Sequence, residues 1–401
     1  MEITLTVENS LPGDRERACL VGRAWRPSDP AGGPAGPSVV VVEGDAVVDV
    51  TRAHATLSEL LNQNDPAEAA RAAVSTGERL CSLSEILANS GPDGGDESRP
   101  RLLAPADLQA LKACGVTFVR SMLERVIEEQ AKGDPSAAEG IRKTLVAAIG
   151  TDLDAVVPGS ADAEKLKSAL IERGLWSQYL EVGIGPYAEV FSKSQPMSAV
   201  GSGAEIGLHP ESHWTNPEPE TVLAVAASGE IVGVTLGNDV NLRDFEGRSA
   251  LLLGKTKDNN GSCAIGPFVR LFDERYGLDE LRRAVVTLKV EGDDGFVLEG
   301  SSSMSEISRD PTDLAQQAMG ENHQYPDGMY LFTGTMFAPI EDRDAPGEGF
   351  THKLGDRVTI ACQELGALVN RVSLSNRIPP WTFGTGALMR NLAARGLLSP
   401  A

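Results

Sequence analysis

Three carboxylates in the middle of the chain have the spacing to do chemistry together. The stretch reads Asn216-Pro-Glu218-Pro-Glu220-Thr-Val-Leu-Ala-Val-Ala-Ala-Ser-Gly-Glu-Ile-Val-Gly-Val-Thr-Leu-Gly-Asn238-Asp239. Two apolar runs flank Ala227-Ser228-Gly229-Glu230, the pattern of a β-hairpin with a two-residue turn at Ser228-Gly229. That turn pairs Val222 with Thr235 and Glu218 with Asp239. Side chains alternate along a strand, so Glu218, Glu220 and Asp239 share a face. Directly opposed side chains have Cβ atoms about 4.5–5.5 Å apart, so the three would converge. One face is otherwise Leu223, Val225, Val232 and Val234; the other is Val222, Ala224 and Thr235. Three like charges there are costly unless a hard divalent cation neutralises them, and oxygen ligands suit magnesium, manganese or calcium. The alternative is that Glu218 and Glu220 splay into solvent ahead of the strand, which Pro219 permits, or that a one-residue bulge turns Asp239 away.

Cations follow closely. Asn238-Asp239-Val-Asn-Leu-Arg243-Asp244-Phe-Glu246-Gly-Arg248 is dense in polar residues, and Lys255 and Lys257 come next. Positive groups beside a carboxylate-held metal suit an anionic substrate chelated through carboxylate and carbonyl oxygens. A surface helix with weak ion pairs, such as Arg243–Asp244, is the plainer alternative.

The elements that must position these residues are short. Val222–Ala226, Ile231–Leu236, Val285–Val290, Tyr330–Thr333 and Arg357–Cys362 all have strand length and apolar character. Residues 105–180 are helical in pattern: Met122, Leu123, Val126 and Ile127 form a stripe, with Glu124, Glu128 and Glu129 interleaved. Gly133 and Pro135 mark a stop and a restart, and another helix runs over Ala163–Arg173. Residues 1–100 form a separate small unit with a hairpin around Glu43-Gly44-Asp45 and helices near 56–62 and 82–88. The breaker-rich stretch from Asn89 to Pro100 links it to a unit over 101–401. The fold class is α+β rather than alternating βαβα.

Composition excludes several functions. The 401 residues carry 36 Lys and Arg against 57 Asp and Glu, a net charge of −21 that repels phosphate backbones and anionic lipid, so neither nucleic acid nor membrane is an expected partner. The five cysteines form no CxxC pair, which points to free thiols in a reducing compartment. No basic and apolar leader or membrane-length apolar run is visible, so the expected location is cytoplasmic. Other motifs fail: Gly201-x-Gly203-x-x-x-Gly207 has the wrong spacing for a dinucleotide, Gly254-Lys255-Thr256 lacks the upstream glycine of a phosphate loop, and Pro210 interrupts the His209–His213 pair.

At Glu218-x-Glu220, Asn238-Asp239-x-x-x-Arg243-Asp244, Gly254-Lys255, Gly334-Thr335, Lys353-Leu-Gly-Asp356 and Leu368-Val-Asn370-Arg371-Val372 the chain resembles the fumarylacetoacetate hydrolase family. The resemblance covers about residues 105–375. Gly174-Leu-Trp-Ser-Gln-Tyr-Leu-Glu181, the Gly237–Ala250 block and Lys257-Asp-Asn-Asn are similar to its long bacterial branch of 2-keto-3-deoxy-pentonate (xylonate or arabinonate) dehydratases. It implies a fumarylacetoacetase-like catalytic domain, a rolled mixed β-sheet sandwich, with a small N-terminal α/β domain. It also implies Mg2+ on Glu218, Glu220 and Asp239, a keto sugar acid as substrate, and a homodimer or pair of dimers. Arg243, Thr335 and one of Lys255 and Lys257 would surround the substrate. Ser305 and Arg309 are further candidate contacts, or else parts of a capped loop. Gly115-Val-Thr-Phe-Val-Arg-Ser121-Met-Leu-Glu124 aligns with the family's Gly-x-Asn-Tyr-x-x-His-x-x-Glu. Glu124 is kept as a candidate base, alongside a lysine, or else as a solvated helix residue like Glu128. Ser121 replaces the histidine that helps activate water in hydrolytic members. The implied reaction is dehydration of a 2-keto-3-deoxy-pentonate to 2-oxoglutarate semialdehyde. A metal-dependent C–C hydrolase of acylpyruvates is the second reading, and a sugar-acid-binding module the third.

Overall fold

Runs rich in valine and isoleucine, broken by glycine and proline, fold as strands, because β-branched side chains suit a pleated, buried surface. The computed structural model describes residues 3–398 apart from 30–32, 93, 133, 135, 139, 143–155, 173, 175, 338, 340 and 346–348. Gly133 and Pro135, the expected helix stop and restart, therefore lie outside the described residues.

In chain order the strands are β1 (Leu20–Arg26), β2 (Gly36–Glu43), β3 (Ala46–Asp49), β4 (Glu78–Ser82), β5 (Arg101–Leu103), β6 (Ala110–Gly115), β7 (Glu189–Ser194), β8 (Glu205–Leu208) and β9 (Thr215–Asn216). They continue with β10 (Pro219–Val225), β11 (Ile231–Asp239), β12 (Asn241–Leu242), β13 (Cys263–Leu271), β14 (Val285–Glu291), β15 (Val297–Ser303), β16 (Met329–Phe332), β17 (Arg357–Cys362) and β18 (Gly366–Leu374).

The larger sheet has 11 strands in the order β4-β3-β2-β1-β13-β11-β10-β16-β6-β7, with β5 attached to β1. It is mixed, because β16 and β6 run parallel while β10 and β11 are antiparallel. A five-stranded sheet, β15-β14-β17-β18-β8, packs on one face. Leu223, Val225 and Leu236 meet Val286, Leu288, Val358 and Ile360 there in one apolar core. On the opposite face Val222, Ala224, Val232 and Phe332 pack with Leu57 and Leu60 of a short helix and Ala67 and Ala70 of the next. With both faces covered, β10, β11 and β13 are buried at every position, which explains their near-continuous apolar character.

The boundary expected near residue 100 divides the chain but not the sheet. β1 hydrogen-bonds to β13, pairing Leu20 with Arg270 and Val21 with Val269, so the N-terminal strands extend the central sheet. A strand needs a hydrogen-bonded neighbour wherever it finds one, and local patterning does not say which neighbour that is.

The β10–β11 hairpin reaches its register by an unexpected route. Its loop has three residues rather than two: Ala226 donates to Glu230 O at 2.9 Å, Gly229 donates to Ala226 O at 2.9 Å, and Gly229 takes φ +88°. Val225 then pairs with Ile231, one residue out of the expected step. Val232 bulges, the step is regained, and Val222 faces Thr235 while Pro219 faces Asn238. The bulge also moves Val232 to the face of Val222 and Ala224, and Ile231 takes its place beside Leu223 and Val225. A residue added in the loop is thus cancelled by a residue bulged out of the ladder.

The left-handed conformation of Gly229 is a conformational demand rather than a packing one, since a Cβ there would meet only Met319 Sδ at 4.0 Å. Gly229→Ala should cost about 1–2 kcal/mol. The expected readout is a lower urea midpoint with an unchanged slope.

Candidate metal centre

The two antiparallel strands deliver their charged residues to one end of the hairpin. Asp239 N–H donates to Glu218 O at 3.1 Å, which places Asp239 opposite Glu218. Glu218, Glu220 and Asp239 are buried, and one carboxylate oxygen from each lies within 4.8 Å of the others. Sequence reasoning brings these three together, and so does the structure.

Cations answer the clustered charge. Lys257 Nζ lies 2.6 Å from Glu218 Oε2 and 3.1 Å from Asp239 Oδ2. Lys193 on β7 reaches Asp239 Oδ1 at 2.8 Å and donates to the Lys257 carbonyl at 2.7 Å. Arg125, on the Val119–Ala131 helix, bonds Glu218 Oε1 and also pairs with Glu128 and Glu246, each at 2.7 Å. From there the chain of charges runs outward: Arg243 Nε donates to Glu128 at 2.6 Å and Nη2 to Glu124 at 3.1 Å, and Arg142 pairs with Glu124 at 2.8 Å.

Glu220 is the exception. It accepts a hydrogen bond from Gly334 N at 2.7 Å and a long one from Thr335 Oγ1 at 3.4 Å, with no ion pair among the described residues. Burial, followed by the Asp239 and Glu218 charges, pushes its carboxyl well above the usual range. Burial would raise Glu218 too, but Arg125 and Lys257 outweigh it and hold that carboxyl at about 2. Against burial, Asp239 and Glu218 keep Lys257 firmly protonated. An unpaired buried carboxylate within reach of two others is a hard-oxygen donor set, and a divalent cation such as magnesium fits it. Gly334 supports the set: its φ is +103°, and a Cβ would lie 2.0 Å from Thr117 Oγ1.

Other expected site residues are distributed differently. Lys255 and Lys257 sit two apart on the Leu253–Lys257 helix and so point to different sides. Lys257 meets the carboxylates, whereas Lys255 turns out to His209 Nε2 at 3.2 Å and the Phe245 ring. Arg243 is buried over the Trp214 ring and reaches the centre through Glu128 and Arg125. Glu124 is held by two arginines, Arg142 and Arg243, and Glu128 is buried rather than solvated. Ser121 donates to Phe118 O at 2.9 Å within its own helix. Ser305 is exposed and bonds Ser303, since it lies beyond the end of β15. Arg309 is spent on Val182 O and Gly185 O at 2.9 and 2.6 Å, closing the end of the Gln178–Ile184 helix. Neither Ser305 nor Arg309 joins the cluster.

Arg125, Lys193 and Glu189 are the residues that sequence reasoning missed. Glu189 and Lys193 share a face of β7 by alternation, and Arg125 and Glu128 are an i,i+3 pair, but such signals are common on any surface. Glu189 is pushed up to about 7, first by burial and then by Glu246, against Arg125 and Lys257.

Residues 188–373 match the model described as the fumarylacetoacetate hydrolase C-terminal family. A probable 2-keto-3-deoxyxylonate dehydratase of Haloferax volcanii is 30% identical over 233 residues, 55% of this chain and 76% of that protein. The chain belongs to the fumarylacetoacetate hydrolase family. A second relative, the 2-dehydro-3-deoxy-D-arabinonate dehydratase of Saccharolobus solfataricus, is 33% identical over 193 residues. That match spans 47% of this chain and 60% of the relative's length. Among solved structures, a 2-keto-3-deoxy-D-arabinonate dehydratase complexed with magnesium and 2,5-dioxopentanoate superposes with a TM-score of 0.57 at 20% identity, covering 88% of this chain and 99% of that one. A fumarylacetoacetate hydrolase from Exiguobacterium antarcticum gives 0.52 at 15%, covering 89% and 100%. The last two similarities establish the common fold of the family.

Three outcomes follow from the charge arrangement. Glu220→Gln removes a buried unpaired carboxylate, so without added metal the variant should unfold at a higher temperature than the parent. Added Mg2+ should raise the parent's midpoint, by about 3 kcal/mol of stability at a hundredfold excess over Kd, and leave the variant unmoved. Glu189, with a folded-state pKa of about 7 above its ordinary 4.5, withdraws stability as pH rises between those values. Glu189→Gln should therefore stabilise by about 1–3 kcal/mol more near pH 8 than near pH 5, read from urea unfolding at both.

Proposed function

We propose that the protein is a Mg2+-dependent hydro-lyase that dehydrates a 2-keto-3-deoxy-pentonate of the xylonate or arabinonate type to 2,5-dioxopentanoate, the 2-oxoglutarate semialdehyde. The observation that carries this reading is the buried Glu218, Glu220 and Asp239 set, with Lys257 on it and Glu189 nearby. The two dehydratase relatives support the choice of substrate class. Glu218, Glu220 and Asp239 would hold the metal, with Mn2+ or Ca2+ as substitutes. Bound there, Mg2+ would supply Lewis acidity to a 2-keto acid.

The chain's own residues divide the remaining work. Lys257, and Lys193 behind it, would supply positive charge toward the substrate's carboxylate and ketone oxygens. Glu189, its carboxyl pushed up to about 7, would take the C3 proton and return one. Loss of that proton and of the C4 hydroxyl as water leaves a C3–C4 double bond. A proton then leaves C5 and one adds at C3, and the resulting C5 enol takes a proton at C4 and gives up its hydroxyl proton to leave the aldehyde. Glu124 is disfavoured as the base because two guanidinium groups hold its carboxylate. Arg125, Arg243 and Glu128 would act by holding Glu218 and the helix over it.

A metal-dependent hydrolase of acylpyruvates would use the same chelation, but Ser121 bonds its own helix and offers no imidazole for activating water. Purified protein with Mg2+ and 2-keto-3-deoxy-xylonate or -arabinonate should form a product that aldehyde reagents trap, with little turnover of acylpyruvates. The reverse pattern would reject dehydration. Lys257→Met should lose at least about 100-fold in kcat, the scale for removing a group at the reacting centre, while Lys255→Met stays near the parent.

A further inference from the structure

A cavity of about 320 Å³ lies where β1, β5, the Met197–Ser202 segment and the C-terminal stretch Ile378–Phe383 meet. It shares no residue with the carboxylate cluster, and its volume falls in the range of small-molecule sites, about 300–1,000 Å³. Trp25, Trp381 and Phe383 are its aromatic lining. Trp25 meets Phe383 edge to face at 5.4 Å, and Trp381 is 45% exposed beside them. The stretch is tied down, because Asn260 Nδ2 donates to Ser375 O and Pro379 O and Trp381 Nε1 donates to Phe383 O.

Three charged side chains line the cavity, and two are committed. Arg23 is buried against the Ala104 and Ala106 carbonyls and Asp107, and Glu205 pairs with Arg371 at 3.0 Å. Arg101 is not. Its guanidinium lies 5.3 Å over the Trp25 ring, half-buried, and among the described residues no carboxylate pairs with it. Glu97 acts on it only at a distance. In a chain with 57 acidic residues against 36 basic ones, a partly desolvated guanidinium left unpaired is a costly arrangement. Arg101 lines a space of ligand size together with Trp25, Trp381 and Phe383, a combination that complements a planar ring bearing a carboxylate.

We propose that this cavity is a binding site for an aromatic carboxylate, with the ring between Trp25 and Trp381 and the carboxylate on Arg101. The proposal stands apart from the dehydratase reading, since it uses none of the same residues. Calorimetric titration of the full-length protein with benzoate and with neutral benzamide tests it. Benzoate should bind saturably and about tenfold more tightly than benzamide, the scale of one charge-assisted hydrogen bond. Arg101→Met should bring the two ligands within about twofold of each other. Trp381→Ala, at an exposed position with little folding risk, should weaken both ligands. No saturable benzoate binding, equal binding of benzoate and benzamide by the parent, or unchanged binding in both variants would each overturn the proposal.

Discussion

Like charges taken out of water at one point govern this structure. Glu218, Glu220 and Asp239 are buried at the end of a hairpin covered on both faces, where repulsion is weakly screened. Lys257 and Lys193 meet the demand from below, and Arg125 meets it from the helix above. Each added cation then needs partners of its own. Arg125 draws in Glu128 and Glu246, Glu128 draws in Arg243, and Arg243 draws in Glu124 and Arg142. Ion pairs of this kind are weak evidence for stability, because desolvation offsets most of their attraction. What they supply is position: the Val119–Ala131 helix is held across the hairpin end by charge as well as by its apolar stripe.

The sheet makes this cluster rigid. β11 is flanked by β10 and β13, and every position on the three is buried, so the carboxylates start from backbone that has no freedom to relax. The first hundred residues take part in that rigidity. Their strands lengthen the sheet through β1, and the Leu57–Leu61 and Pro66–Val74 helices cover the face carrying Val222 and Ala224. They form part of the wall behind the site rather than an appendage.

The proposed function would divide ligation and acid–base work between elements far apart in the chain. The carboxylates and Lys257 come from residues 218–257, whereas Glu189 and Lys193 come from β7, which pairs with β6 at the far end of the sheet order. A carboxyl pushed up to about 7 and a lysine held firmly protonated would give the separation of roles that proton transfer requires.

Much of the site was legible in the sequence because strand alternation has period two: once a hairpin is granted, Glu218, Glu220 and Asp239 must share a face. The α+β class and the helix carrying Met122, Val126 and Ile127 follow from patterning in the same way. The register was reached by an incomplete argument, since a three-residue loop and a bulge at Val232 cancel, and neither is visible in side-chain pattern alone. The choice of Lys257 over Lys255, the engagement of Glu124 and the diversion of Arg309 depend on which surfaces meet, which local sequence does not encode. Arg125, Lys193 and Glu189 escaped notice for the same reason, being ordinary charged residues until burial makes an unpaired charge costly. The sequence by itself thus determined which atoms could bind a hard cation, through the fixed geometry of a strand. Only the tertiary structure decided which cations stand beside them and which carboxylate, Glu220, is left unpaired, because desolvation and Coulomb energy depend on distances between segments far apart in the chain.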